Sequence, residues 1–301
     1  MNTMQYASVF MTELDKQLVE KSTTGWMEDN AKQVQYNGGA EVKIPKMTMS
    51  GLGDYDRNSG FAQGAVAVTY ETRTLTQDRG RTFQLDAMDV DETNFAATAG
   101  NVMREFQSTK VIPEIDAYRY SKIYELAEAA GKTGTYTAAA DSIFETLMND
   151  ITAVRDTAGE CEEIVIAMSA KVAGMLDLAK GGTNVLQSGY FEQGKAEIKV
   201  KEIDGCPIIR VPSARFKTEY RFMDGAENTE GGFAAAEDAK DINWIVMVKN
   251  APVAISKTDV TRIFDPMTNQ NANAWKIDYR KYHDLWIMDN GMDGVMVSVS
   301  A

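Results

Sequence analysis

From Phe95 to Ala130 apolar residues keep returning at helical spacing, and Pro113 is the one break in the run. Phe95, Ala99, Val102 and Phe106 precede it. Ile115, Tyr118, Ile123, Leu126 and Ala130 follow on roughly one face. Proline lacks a backbone donor and crowds the preceding turn, so it interrupts or kinks a helix. If the two halves are nearly continuous, about 40 residues make a rod of about 60 Å at about 1.5 Å per residue. Ordinary helices stop after about 3–4 turns. A rod this long spans something.

What precedes the rod does not look self-sufficient. Residues 1 to about 37 read as an arm, a short helical pattern (Phe10, Leu14, Leu18) followed by "KSTTGWMEDNAKQVQYNGG". That stretch is polar and carries too little apolar surface to fold alone. "AEVKIPKM" then alternates like a strand, and Pro45 restricts it to an edge or an irregular place. "SGLGDYDRNSGFAQG" is a loop. "AVAVTYETRTLT" returns as a long strand whose two faces are mostly small or polar. The pair predicts a two-sided β ribbon projecting from the body.

Behind the rod the texture becomes compact α/β. "DSIFETLMNDITAVRD" carries a helical stripe of Ile143, Leu147, Ile151 and Val154 and stops at Gly159. "EEIVIAMS", "CPIIRVP", "INWIVMVK" and "APVAISK" read as strands, and "AKVAGMLDLAKGG" as a short helix. The end alternates Trp275, Ile277 and Tyr279, turns around Asp289–Gly294, and alternates Val295, Val297 and Val299, which predicts a terminal hairpin or sheet.

Bulk properties narrow the chemistry. With 301 residues the chain can bury a sizeable core. Its net charge of −13 argues against nucleic-acid binding through a counterion-releasing basic surface. No apolar stretch approaches the roughly 20 residues that span a bilayer, and the N-terminus has no secretory pattern. Cys161 and Cys206 lack metal spacing and read as buried free thiols, as expected of a chain made in a reducing cytosol. The single histidine, His283, sits in an aromatic, strand-like run and reads as packed or surface rather than catalytic.

The motifs that could carry catalysis are weak. "GKT" at Gly131 lacks the P-loop glycine five residues earlier, where Leu126 stands, and reads as a helix stop. "DYDRNSG" has acids at calcium-loop spacing, but Ala65 occupies the position that needs a bidentate acid. Asp86, Asp89, Asp91 and Glu92 could pair carboxylates for acid–base work. Acids also concentrate at the start of a helix, and Asp89 with Glu92 fits a capping box. Arg79 and Arg81 flank Gly80 in what reads as a turn between strand segments, each able to grip a carboxylate. No cofactor or metal site is predicted.

An arm, a projecting ribbon, an over-long helix, an α/β block and a terminal sheet, in that order, resemble tailed-bacteriophage major capsid proteins of the Hong Kong 97 fold. "LTQDRGRTFQLDAMDVDET" and "VIPEIDAYRYSKI" closely resemble capsid proteins of phages infecting Firmicutes. The resemblance implies an α+β fold with an N-terminal arm (1–37), an extended β loop (38–86), a long spine helix with peripheral-domain residues (87–136), an axial α/β domain (137–258) and C-terminal peripheral-domain strands (259–301). It implies no enzyme but a subunit that assembles with itself into pentamers and hexamers of a DNA-filled virion shell in the host cytoplasm. Sequence-specific DNA binding and membrane association are not expected. Scaffolding, portal and decoration proteins are its possible partners. No long segment precedes the arm, so a separate scaffolding protein, or none, is expected. Arg79, Arg81, Asp86, Asp89 and Glu92 become candidate inter-subunit contacts at the base of the loop, and Lys43 and Lys46 candidates along it. An encapsulin-like compartment shares the fold, and a carboxylate-dependent hydrolase is the alternative of another class.

Overall fold

The computed structural model describes residues 22–33, 35–36, 41–57, 60–86, 102–159, 162–179, 186–193, 196–226, 230–269 and 272–301. A 3₁₀ helix, Gly25–Gln33, leads into strands β1 (Gln35–Tyr36), β2 (Glu41–Met49), β3 (Val66–Thr74) and β4 (Gln77–Asp86). Helical residues 102–106 pass through a π segment, Gln107–Val111, into α1 (Ile112–Ala129). Then come β5 (Thr133–Thr135), α2 (Ile143–Ala158), β6 (Ile164–Ser169), α3 (Ala170–Leu178), β7 (Gln187–Gln193), β8 (Ala196–Ile203) and β9 (Cys206–Val211). A hairpin of β10 (Tyr220–Met223) and β11 (Gly232–Ala235) precedes β12 (Ile242–Val248), β13 (Pro252–Phe264), β14 (Ala274–Ile287) and β15 (Val295–Val299).

The long helix is real across Pro113. Widening the turn before a proline to π geometry changes the hydrogen-bond register where the missing N–H would leave a gap. The hydroxyls of Ser108 and Thr109 donate to the Glu105 carbonyl at 3.1 and 2.7 Å, so that oxygen is satisfied within the segment. From residue 102 to 129 the rod is about 42 Å long at about 1.5 Å per residue; the predicted residues 87–101 lie outside the described part. It ends as the sequence predicts. Gly131 adopts φ +68°, its N–H bonds to the Glu128 carbonyl, and Lys132 N–H bonds to the Ala127 carbonyl. That is a Schellman stop, and only the left-handed residue makes it possible.

Two bodies flank the rod. A seven-stranded sheet, ordered β5-β15-β12-β6-β9-β8-β7, is buried at every residue of β6 and β12. Strands buried on both faces need cover on both, which explains their continuous apolar runs. Ile143, Leu147, Ile151 and Val154 of α2 join this core, as do Tyr120, Ile123 and Ala127 from the C-terminal half of α1. The second body is a three-stranded antiparallel sheet, β13-β14-β4. Met103, Val111, Ile112 and Ile115 pack against Ile277 and Tyr279 of β14, with Phe83 and Phe106 edge to face at 4.8 Å. One helix thus supplies core to both bodies.

Four expectations change. Arg79 and Arg81 lie within β4, paired with Lys281 and Tyr279 of β14, and not in a turn. Glycine between them is required by a close approach, because a Cβ on Gly80 would sit 2.7 Å from the Tyr279 carbonyl oxygen. The predicted terminal unit splits. β14 joins the three-stranded sheet, whereas β15 inserts between β12 and β5 of the other sheet after a helical turn at Asp289–Met292. Residues 22–33 are not a loose part of an arm, since Trp26 and Met27 are buried in the main core. Finally, the ribbon of β2 and β3 has one apolar face, as described next.

Candidate assembly surfaces and their junction

In the ribbon, Met47 stands opposite Val68 and Met49 opposite Val66, with Tyr70 two residues along from Val68. Directly opposed side chains share a face and successive ones alternate, so these five fall together. The other face carries Thr48, Ala67 and Thr69. All five apolar side chains are exposed, Met49 by 69%. Beyond them Tyr55 and Phe61 touch at 5.0 Å, with Phe61 88% exposed. Among the described ribbon residues only the root is buried, where Val42 and Leu75 pack with Val253, Ile255 and Trp286. Reading β3 alone hid this face, because the methionines that complete it come from β2. Pro45 fits the expected edge position in that, among the described residues, β1 pairs only with Val42 and Lys43 and does not reach it.

The candidate contact residues separate. Lys43 is exposed on β2, and Lys46 lies on the same strand in register with Thr69. Asp86 is exposed at the end of β4, facing Ala274. Asp89 and Glu92 lie outside the described residues. Arg81 is exposed, and its guanidinium reaches Gly225 in the loop after β10. Arg79 is engaged within its own chain. It pairs with Glu114 of α1, donates to the carbonyls of Met223 and Gly232 at 2.9 and 3.1 Å, and lies over the Phe222 ring. It therefore ties β4, the rod and the β10–β11 hairpin together.

That geometry sets an expected result. Arg79→Glu with Arg81→Glu would put a carboxylate beside Glu114 and strip two carbonyls of their donor. Hydrogen bonds to charged groups contribute about 1.5–3 kcal/mol, so the double variant should lose roughly that much stability. A lowered urea midpoint checks it, and an unchanged midpoint would return the pair to a purely inter-subunit role.

A buried polar junction, unmarked by any motif, fixes the arm's root to the rod. Asp116 is fully buried on α1. Its Oδ1 accepts from the Ser22 and Thr24 hydroxyls, both at 2.7 Å. Its Oδ2 accepts from Thr23 N–H and Arg215 Nη1, both at 3.2 Å. One turn on, Arg119 is 1% exposed, donates to the Thr24 carbonyl at 3.0 Å and pairs with Glu28. Burial opposes ionisation of Glu28, but the charges of Arg119 and Lys281 outweigh it and hold that carboxyl at about 2. Lys281 of β14, 3% exposed, also binds Asp259 at 2.7 Å. Asp284 accepts from Tyr118 hydroxyl at 2.6 Å and from Thr76 N–H and hydroxyl at 2.9 and 2.8 Å. Burial first, then the Asp284 charge, pushes the Tyr118 phenol well above its usual range. The ribbon's exit, the arm's root, the rod and the three-stranded sheet thus meet at two adjoining polar clusters, in which the Arg119 Nε keeps no hydrogen-bond partner. Such clusters specify a unique arrangement of the parts they join.

The thiol of Cys206 is free and buried, whereas Cys161 lies outside the described residues. His283 is buried on β14. Among the described residues no three His, Cys, Asp or Glu side chains converge as a metal site would need.

No protein-family model matches the sequence, and no curated protein matches it. Solved structures do. The asymmetric unit of the bacteriophage PhiM1 mature capsid aligns with a TM-score of 0.58 at 15% identity, covering 88% of this chain and 83% of that one. The capsid structure of cyanophage P-SCSP1u gives 0.55 at 13% identity, covering 87% and 84%. A chain of Mycobacterium phage Ogopogo gives 0.55 at 11%, covering 90% and 91%. The chain has the α+β capsid fold of these phage proteins, with its long helix.

Proposed function

We propose that this chain is the structural subunit of an icosahedral phage head, assembling with itself into pentamers and hexamers around double-stranded DNA, and that it is not an enzyme. The observation that carries this reading is the ribbon, an apolar face held clear of the body with no cover among the described residues. Contiguous exposed apolar patches mark interaction sites. The fold supports the same reading, and a net charge of −13 suits a wall that packaged DNA must not stick to.

In this reading the seven-stranded sheet serves as the axial domain and the three-stranded sheet as the peripheral domain. The rod braces the two, and the ribbon lies over a neighbour. The wording of the segments around Arg79 and Pro113 supports a place among capsid proteins of Firmicutes phages. Scaffolding, portal and decoration proteins are the partners to expect, and the virion is the location. No described helix is long and apolar enough to cross a membrane.

Electron microscopy of the purified protein tests the proposal. Closed shells are expected, and DNA-packaging proteins rather than cargo enzymes should accompany particles isolated from infected cells. A monodisperse monomer at high concentration, across salt and pH, would overturn it.

A further inference from the structure

His283 is the chain's single histidine and sits in the middle strand of the three-stranded sheet, in register with Ser256 of β13 and Gln77 of β4. It is 5% exposed, and Tyr118 of the rod meets its ring edge-on at 5.5 Å. Its Nδ1 is buried without a hydrogen-bond partner. The ring also lines a cleft of about 850 Å³ between β4, the π segment and the β10–β11 hairpin, which gives solvent protons a route to it.

We propose that His283 is an acid-operated latch: its neutral ring lets the arm's root, the rod and the sheet close on one another, and its protonation opens that junction. The reason lies in the charges packed around it. Arg119 faces it from the rod, Lys281 from its own strand, Arg79 from β4 and Glu28 from the arm's root. Among the described residues, the carboxylates packed closest to the ring that could compensate a new positive charge are already engaged. Glu28 holds Arg119 and Lys281, Asp259 of β13 holds Lys281, Glu114 of the rod holds Arg79, and Asp284 beside the histidine is filled by Tyr118 and Thr76. Across the cleft Arg81 and Lys110 stand with Asp78, Asp224 and Glu230, and Asp78 is bound to Arg280. Lys257 of β13 rests over the Tyr282 ring. A buried charge without a partner is strongly disfavoured.

The sign follows from linkage. Burial, then Arg119 and Lys281, push the imidazole well below the ordinary histidine value of 6.5, with Glu28 opposing. Below that pH the open state binds a proton that the closed state refuses. The latch therefore contributes fully above about pH 6.5 and weakens by up to about tenfold in equilibrium constant per pH unit below it. The depressed carboxyls act lower, Glu28 below its ordinary 4.5 and Asp78 and Asp177 below 3.8. Asp150, whose carboxyl burial raises above 3.8, acts in the opposite sense, destabilising less as pH falls.

Two measurements on the full chain, as subunit or particle, test the latch. Deuterium exchange at the imidazole C2–H, read by mass spectrometry across pH, reports the charge of this one histidine. Amide exchange corrected for its intrinsic pH dependence reports opening. From pH 6.5 to 5 the amides of residues 22–33 and 76–80 should lose protection up to about fifteenfold, while residues 242–248 stay protected. His283→Gln should remove the acid dependence. An imidazole titrating near 6.5, one that becomes charged with no loss of protection, or an unchanged acid response in His283→Gln would each overturn the proposal. The titration decides it even where that variant fails to fold.

Discussion

Asp116→Ala is expected to lose about 3–5 kcal/mol of stability, the range seen when one member of a buried charged pair is removed. Domains of ordinary stability hold only about 5–15 kcal/mol in total, so much of the variant should be unfolded or degraded when expressed. The substitution removes the carboxylate that accepts from the Ser22 and Thr24 hydroxyls, Thr23 N–H and Arg215. Asp116→Asn should be little better, because both oxygens face donors only and the amide NH₂ would point at one of them. Urea denaturation followed by circular dichroism checks both variants. A loss below 1 kcal/mol for Asp116→Ala would mean that the arm's root is held by its other contacts, Trp26 and Met27 in the core and Arg119 on Thr24 and Glu28.

Met47→Glu combined with Val68→Glu should have the opposite profile. These two side chains face each other on the exposed side of the ribbon and join no core of the described residues. Melting should therefore stay near normal. Particle yield should fall to background, because the proposed interface loses about 1.5–3 kcal/mol of burial for each apolar side chain that it covers. It must also bury two like charges, and the loss recurs at every equivalent contact of a shell. Sedimentation of the double variant reads the outcome directly. Normal shells would show that the apolar face lies uncovered in the particle, and would remove the main support for the proposed assembly.

The two variants also mark what was legible in the sequence. Helical periodicity disclosed the rod and Gly131 its end, since both depend on residues within a few turns of one another. The strands at 164–169 and 242–248 were legible as apolar runs for the same reason. The apolar face of the ribbon was not, because Met47 and Met49 meet Val66 and Val68 only once the register of two strands separated by a loop is known. The role of Arg79 was hidden in the same way, since Glu114 stands 35 residues away and the carbonyl of Gly232 lies 153 away.

The polar junction is the clearest omission. Asp116 and Arg119 stand one turn apart beside the apolar stripe of α1, and that spacing was a signal available in the sequence. Their partners were not, because Ser22, Thr24 and Glu28 belong to a stretch too polar to bury itself. What the sequence determined alone was local: which segments are helix or strand, where they stop, and that some lacked enough apolar surface to stand by themselves. Only the tertiary structure decided which polar residues become interior, because a buried carboxylate or guanidinium is tolerable only where distant donors and acceptors converge on it.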